Sequence, residues 1–291
     1  MSTNSAIAGF FRDPDASSVV SIRGQQIGAP TVRGTDISVD ELSMGGGTRI
    51  VMHLFDRSYS MAPVTDLMIR DFNEVYVEAI KEAREDDISA LRLGGLSFST
   101  TITPIWVNGG VSFHPLDELP QLTLREYNPR RGTSTSLHQA IIDGTAIAAE
   151  YGAQIKASTG SMPEIDINIL ADGANNEHPR DEAVVKQVID GARKDLIRYN
   201  FFFFETDMGL SKKEFQTWIK ELGFDMENVQ NFSSQPGESE EERKSRFRRM
   251  VRVMSRVSAS RGTSAVNAAA ATAAAPASAT SGSSSEDEVI L

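Results

Sequence analysis

The sequence contains no cysteine among its 291 residues, so it can form neither a disulfide framework nor a metal site with thiolate ligands. No run approaches the roughly 20 apolar residues of a transmembrane helix, and the N-terminus has too short an apolar segment for a signal peptide. We therefore expect a cytoplasmic protein without membrane insertion. The formal net charge of −11 argues against a protein that coats nucleic acid, and we do not expect a nucleic-acid partner.

Common catalytic motifs are also absent. The sequence has no G-x-S-x-G, no Walker-type loop and no H-E-x-x-H. Its four histidines, which are His53, His114, His138 and His178, have no spacing typical of a metal-binding pair. We expect His53 to pack inside a strand and His138 to lie on a helix face. The sequence does not indicate catalysis.

The most informative stretch is residues 48–61, T-R-I-V-M-H-L-F-D-R-S-Y-S-M. Its apolar run at 50–55 is typical of a strand buried on both faces of a sheet. Asp56, Ser58 and Ser60 follow directly, and ligands of open α/β sheets bind outside the carboxyl ends of the strands. One carboxylate and two hydroxyls make an oxygen-only cluster, which suits Mg²⁺ rather than zinc or copper. A serine-rich helix cap is the alternative.

Along the rest of the chain, helical periodicity alternates with strand composition. The predicted helices cover 62–85, a segment starting at Leu137, 181–196, 211–222 and 238–258. The predicted strands cover 50–55, 88–100, 102–107, 165–170, 199–204 and 229–233, and 111–134 is predicted to be a loop. This alternation predicts a doubly wound α/β fold, with a mostly parallel central sheet and helices on both faces. The hairpin at 88–107 supplies one antiparallel edge strand. Asp166 and Asn168 are unusual in a central strand and argue against two dry faces, although the rest of the strand is apolar.

The chain divides into three predicted parts. Residues 1–46 contain turn formers throughout and are predicted to be a partly ordered N-terminal extension, and 47–258 form the domain. Residues 259–291 are an Ala/Ser-rich tail with too few large apolar residues to offset chain entropy, so we predict disorder. Its acidic end, E-D-E-V-I-L at 286–291, is either a docking peptide or a solubilising tail.

Oxygen-bearing residues follow three separate strands or loops. They are D-x-S-x-S-M from Asp56, T-x-L-x-x-A from Thr135, and D-G at Asp172. In this order and on these elements, the three motifs resemble the von Willebrand factor type A (vWA) domain, which is Rossmann-like, and its metal-ion-dependent adhesion site. The resemblance spans about 48–258. The loop P-L-D-E-L-P at 115–120 and the last helix are similar to the stand-alone bacterial subgroup associated with tellurite resistance.

The resemblance implies a role for each residue of the predicted site. Ser58 and Ser60 are direct hydroxyl ligands of Mg²⁺, or of Mn²⁺, and Asp56 is a carboxylate that supports them. Thr135 binds the ion directly in one state of the site, and Asp172 acts largely through water. Few direct protein ligands are expected in any case, because Mg²⁺ keeps several of its waters.

The sequence departs from the family pattern at two positions. Tyr59 replaces the small residue usual between the two serines, and Ala171 stands where the family often has threonine. Neither change removes a ligand, but Tyr59 could crowd or extend the rim of the site. Nearby, Arg130-Arg131 is either a contact for an acidic partner or solvated loop charge. Residues 175–177 either reach the metal rim or form a turn.

Three functions remain open from the sequence. The resemblance implies a Mg²⁺-dependent adaptor or scaffold, which binds an Asp or Glu of a partner such as an ATPase, a kinase or a stress-response protein. A metal-assisted phosphoesterase or nuclease could use the same ion, but no candidate general base accompanies the ligand set. A structural component of a phage or cellular assembly could retain the site as a vestige. We expect the first, and no enzyme activity.

Overall fold

A computed structural model describes residues 47–83, 91–106, 113–173, 176, 182–194, 197–206 and 210–259. It also describes the backbone of two short strands, Ser21–Ile22 and Gln25–Gln26, which pair antiparallel. The rest of the predicted extension and the tail beyond Ala259 lie outside these residues. What the sequence predicts for those two parts of the chain therefore stays a prediction.

The domain is built around a seven-stranded sheet. Its strands are β1 (Arg49–Asp56), β2 (Leu91–Phe98), β3 (Ile102–Ile105), β4 (Phe113–Pro115), β5 (Glu164–Ala171), β6 (Ile197–Phe204) and β7 (Val229–Phe232). They lie in the order β3-β2-β1-β5-β6-β7, with β4 also paired to β2. The pairs β2-β1, β1-β5, β5-β6 and β6-β7 are all parallel. This confirms the predicted doubly wound, mostly parallel sheet.

The antiparallel edge is confirmed too, but two segments form it. β3 pairs with Gly95–Phe98 of β2, and β4 pairs with Arg92–Gly94 of the same strand. The prediction of a loop at 111–134 is therefore wrong for Phe113–Pro115. A strand of three residues that ends in proline is too short to show the alternation by which strands are detected.

Helices cover both faces of the sheet. They are α1 (Thr65–Asp71), α2 (Val77–Ala83), α3 (Leu137–Thr159), α4 (Glu182–Lys194), α5 (Lys212–Glu221) and α6 (Glu240–Ala259). One buried apolar cluster joins α3, α4 and α5 to the sheet, and a second joins α1, α2 and α6 to the opposite face. Alternate side chains of β1 enter the two clusters because successive strand residues point to opposite faces.

The helical run predicted at 62–85 is less regular than its periodicity indicates. It begins with a 3₁₀ turn, Tyr59–Val64, and a π turn, Phe72–Tyr76, separates α1 from α2. π turns shift the register of the helix face. Here Tyr76 places its hydroxyl 2.8 Å from Nε2 of His53. His53 is fully buried as predicted, and burial lowers its pKa to about 3, so its ring is neutral.

The two polar residues of β5 are buried, so both faces of this strand are dry despite them. Asp166 accepts hydrogen bonds from Arg49 on β1 and Arg198 on β6. Asn168 donates to the Ser258 hydroxyl at 2.7 Å, and accepts from the side-chain amide of Asn200 at 2.9 Å. Partners from neighbouring strands and from α6 thus replace water.

The strand order reverses between β1 and β5, since β1 continues to β2 on one side and β5 leads to β6 on the other. In open α/β sheets the crevice at such a switch point is the usual ligand site. Asp56 ends β1, and Asp172 directly follows β5. The fold therefore brings these two predicted site residues to one crevice. No helix in the described part of the chain is long and apolar enough to cross a membrane.

Candidate metal centre

Asp56 and the two serines form a compact turn at the carboxyl end of β1. The Asp56 Oδ1 atom accepts the backbone N–H of Ser58 at 2.7 Å, and the Ser58 and Ser60 hydroxyl oxygens lie 2.9 Å apart. Ser58 stands at the cap position of the 3₁₀ turn, but its side chain makes no capping hydrogen bond. The helix-cap alternative is thus wrong for Ser58, and its hydroxyl faces Ser60.

Asp172 reaches this turn from the end of β5, which lies beside β1 in the sheet. Its Oδ1 atom accepts the Ser60 hydroxyl at 3.0 Å, and its Oδ2 atom accepts the Thr206 hydroxyl at 2.5 Å. A continuous chain of hydrogen bonds therefore links Ser58, Ser60, Asp172 and Thr206. Sequence reasoning missed Thr206, although it follows the end of β6 and the strand-end rule that selects Asp172 applies to it equally.

Thr135 lies at the same edge of the sheet but outside this chain of hydrogen bonds. The backbone N–H of Ser136 donates to the Ser99 carbonyl, just beyond β2, at 2.8 Å. Thr135 and Asn176 hold each other: the Thr135 N–H donates to the Asn176 Oδ1 atom at 2.5 Å, and the Asn176 N–H donates to the Thr135 carbonyl at 3.1 Å. In the described residues, no hydrogen bond joins the Thr135 side chain to the other four predicted ligands. Asn176 therefore positions the Thr135 backbone.

The loop before Thr135 packs directly on the serine turn. A Cβ atom built on Gly132 lies 2.1 Å from the Arg57 carbonyl oxygen, much closer than any real Cβ contact. Gly132 has an ordinary extended backbone, with φ −80° and ψ 144°, so close approach rather than left-handed geometry requires glycine here. The position of this loop relative to Ser58 therefore depends on the absence of a side chain.

We predict that Gly132→Ala destabilises the domain by about 1–3 kcal/mol, because the new methyl group forces the loop away from a backbone carbonyl. Urea unfolding of the full chain measures this. Gly47→Ala is the matched control, since a Cβ at Gly47 meets nothing within 4 Å. Equal unfolding midpoints for Gly132→Ala and Gly47→Ala contradict the close packing described here.

The surroundings of the two carboxylates disfavour their ionised forms. Burial raises the pKa of Asp56 to about 8, and the negative charge of Asp172 contributes further. Burial also raises the pKa of Asp172. The Asp56 Oδ2 atom is buried and has no hydrogen-bond partner among the described residues. Buried acceptors are usually satisfied, so this oxygen and the crowded negative charge fit a cation.

The donors also fit one class of cation better than others. Within the described ranges no group of three or more His, Asp or Glu side chains is placed to hold a metal. The centre combines two carboxylates with the hydroxyls of Ser58 and Ser60. Such a set suits a hard ion that keeps waters among its ligands, as Mg²⁺ does, and does not suit a zinc site of histidines and thiolates.

No protein-family model matches the sequence, and no curated protein matches it. Among solved structures, the chain is similar to proximal thread matrix protein 1 from the mussel byssus with a zinc-occupied MIDAS motif, at 10% identity and a TM-score of 0.47. That match covers 71% of this chain and 48% of the mussel chain, so this chain spans about half of that protein.

This chain is also similar to a von Willebrand factor type A protein from Catenulispora acidiphila, at 12% identity and a TM-score of 0.40. That match covers 71% of this chain and 43% of the other. For the SpRpn10 VWA domain the identity is 12% and the TM-score 0.37, over 62% of this chain and 85% of that one. These are remote likenesses of fold.

Proposed function

We propose that this protein is a metal-dependent protein-interaction module, which uses Mg²⁺ or Mn²⁺ to bind an Asp or Glu side chain of a partner. One observation supports this most: hydroxyls and two buried carboxylates from β1 and β5 converge at the switch point, where the Asp56 Oδ2 atom has no described partner. The zinc-occupied MIDAS motif is a property of the mussel protein, and a corresponding use of the site in this chain is part of our proposal.

Each residue of the site has a defined task in this proposal. Ser58, Ser60 and Thr135 offer neutral oxygens, which bind a hard cation without cancelling its charge. Asp56 accepts the Ser58 N–H and so fixes the serine turn, and Asp172 orients the Ser60 hydroxyl. A bound Mg²⁺ supplies an electrophilic position that an acidic side chain of the partner can complete.

A hydrolase that uses the same ion is the competing proposal. His53 and His138 are both unsuited to act as its general base. His53 is the histidine nearest in sequence, but it is buried against the Phe55 and Phe72 rings and contacts Tyr76. Burial lowers its pKa to about 3. His138 is buried and stacks on Trp218, with ring centroids 6.0 Å apart. The hydrogen bond of the His53 ring leads to Tyr76 and not to the hydroxyl chain, whereas general-base catalysis requires hydrogen-bond reach.

Asp56→Asn separates the two proposals. Loss of this carboxylate should weaken metal binding by about 10–100-fold, as is typical when a group that orients the ligands is removed. The domain should stay folded, because the amide keeps the shape and relieves repulsion with Asp172. We expect wild-type full chain to retain a protein from a lysate in Mg²⁺ but not in EDTA, and the variant to lose that retention. Phosphate-ester or nucleic-acid turnover that depends on Mn²⁺ or Mg²⁺ and disappears in Asp56→Asn contradicts the module.

Metal binding should depend on pH with a definite sign. Because the pKa of Asp56 is raised to about 8, the metal-free site holds a proton at pH 7 that a cation must displace. Affinity should therefore rise between pH 6 and 8 and level off above, with a slope of about tenfold per pH unit for one displaced proton. Calorimetric Mg²⁺ titrations of the full chain, in buffers of different ionisation enthalpy, measure the proton released. A pH-independent affinity without proton release is the opposite outcome.

A further inference from the structure

The sequence departs from its resemblance at Tyr59, and the structure places a basic turn beside that residue. We propose that Tyr59, Arg130 and Arg131 form a recognition rim, which selects partner segments that contain a second carboxylate and an apolar side chain in addition to the acid bound at the metal. This inference rests on the proposed function and specifies the chemistry of its partner.

Tyr59 is exposed, whereas the hydroxyls of the serines on either side of it belong to the site. It is 54% exposed, more than any other large hydrophobic residue that the structure describes, and it stands between Ser58 and Ser60. A partner that reaches either serine hydroxyl therefore passes close to this ring. Tyrosine offers a large apolar contact area together with a polar tip, and aromatic residues are enriched where proteins bind each other.

The basic turn is held next to Tyr59 by backbone packing. The 3₁₀ turn Pro129–Arg131 packs on the 3₁₀ turn Tyr59–Val64. The following residue, Gly132, abuts the Arg57 carbonyl so closely that no Cβ fits between them. Two arginines are therefore anchored at a fixed place relative to the serine turn, as a preorganised binding surface requires.

Both arginines are exposed. Among the described residues Arg130 faces Asp66, with 3.9 Å between Nη2 and Oδ2, and the two side chains are 64% and 82% exposed. An ion pair so long and so exposed is worth little. Arg131 is exposed and forms no ion pair with any described residue. Each guanidinium can still bind a carboxylate through two parallel hydrogen bonds.

The charge of the molecule favours an acidic peptide segment over nucleic acid. The chain has a net charge of −11, so a long polyanion is repelled by most of the surface, whereas a short segment needs only this rim. The metal accepts one carboxylate, an arginine accepts a second, and Tyr59 packs on a neighbouring apolar side chain. We therefore infer a partner segment with at least two acids close to an apolar residue.

Peptide selection tests the rim and the metal separately. A random dodecapeptide phage library is selected on immobilised full-length protein in Mg²⁺, and bound phage are eluted with EDTA. The test variants are Arg130→Ser with Arg131→Ser, and Tyr59→Gly. The matched control is Lys212→Ser with Lys213→Ser, which removes two exposed positive charges from α5 on the other face of the sheet. Melting curves with and without Mg²⁺ establish that each variant is folded and binds the ion.

We expect wild type and the lysine control to enrich peptides with two or more acids and an apolar residue. The arginine variant should keep one acid and lose the preference for the second, and it should bind a wild-type-selected peptide about fivefold more weakly. The Tyr59 variant should lose the apolar preference. If wild type and the rim variants select identical peptides, or if the selected peptides contain no acids, the proposed recognition rim is wrong. Metal-dependent binding is not contradicted by that result. Absence of EDTA-eluted enrichment in wild type contradicts the proposed function itself.

Discussion

Addition of Mg²⁺ should raise the unfolding free energy of the full chain at pH 8, and Ser58→Ala with Ser60→Ala should abolish that increase. An ion that binds only the folded protein stabilises it by RT ln(1 + [L]/Kd), or about 2.7 kcal/mol at 100 times Kd. The two serine hydroxyls lie 2.9 Å apart and connect to Asp172, so their loss removes neutral oxygens from the centre of the site. Thermal melts over a Mg²⁺ titration measure the effect.

The control removes two hydroxyls elsewhere. Thr217 and Ser245 are exposed on α5 and α6, and Thr217→Ala with Ser245→Ala should respond to Mg²⁺ as wild type does. A wild-type melting curve that is indifferent to millimolar Mg²⁺ and Mn²⁺ argues against a working site. An equal response in the Ser58 and Ser60 variant places the bound ion elsewhere on the protein.

The second large effect concerns a buried ion pair near the amino-terminal ends of β1 and β5. Asp166 is buried and accepts hydrogen bonds from the Arg49 and Arg198 guanidinium groups, and Arg49 is itself almost fully buried. Asp166→Asn leaves the Arg49 charge inside the protein without a counter-charge. Breaking a buried pair in this way typically costs about 3–5 kcal/mol. We therefore expect a loss of unfolding free energy of that size in urea denaturation of the full chain.

The paired replacement Arg49→Met with Asp166→Leu should be far less damaging than Asp166→Asn, because it removes both buried charges together. Arg198→Met should also cost less, since the Arg198 side chain is partly exposed and Arg49 remains beside Asp166. If Asp166→Asn changes the unfolding free energy by less than about 1 kcal/mol, the buried network does not stabilise the fold as described.

The sequence was sufficient to predict the layered sheet because its signals are local. The apolar run of β1 and the four phenylalanines of β6 are continuous stretches whose pattern needs no tertiary information. The capping box of α5 is likewise local: the Ser211 N–H donates to the Glu214 carboxylate at 3.1 Å. In contrast, β4 is three residues long and exists only because β2 offers an unpaired edge.

The site was predicted in part for the same reason. Asp56, Ser58 and Ser60 lie within one short stretch, and the strand-end rule places Asp172 beside them. The same rule applies to Thr206, which contacts Asp172 from a third strand but was overlooked. Gly132 could not be found in this way, because it matters through the carbonyl oxygen of Arg57, which no sequence pattern encodes. The burial of Asp166 could not be predicted either, because its partners come from other strands.

The number of ions that each chain binds tests the metal centre directly. In a Mn²⁺ titration of the full chain at pH 8, the electron paramagnetic resonance signal of free Mn²⁺ reports how many ions each chain removes from solution. We expect one tightly bound ion per wild-type chain, displaced by excess Mg²⁺, and none in the Ser58→Ala, Ser60→Ala variant. No bound ion in wild type, or an ion that remains in the variant, contradicts a metal centre built on Asp56, Ser58, Ser60 and Asp172.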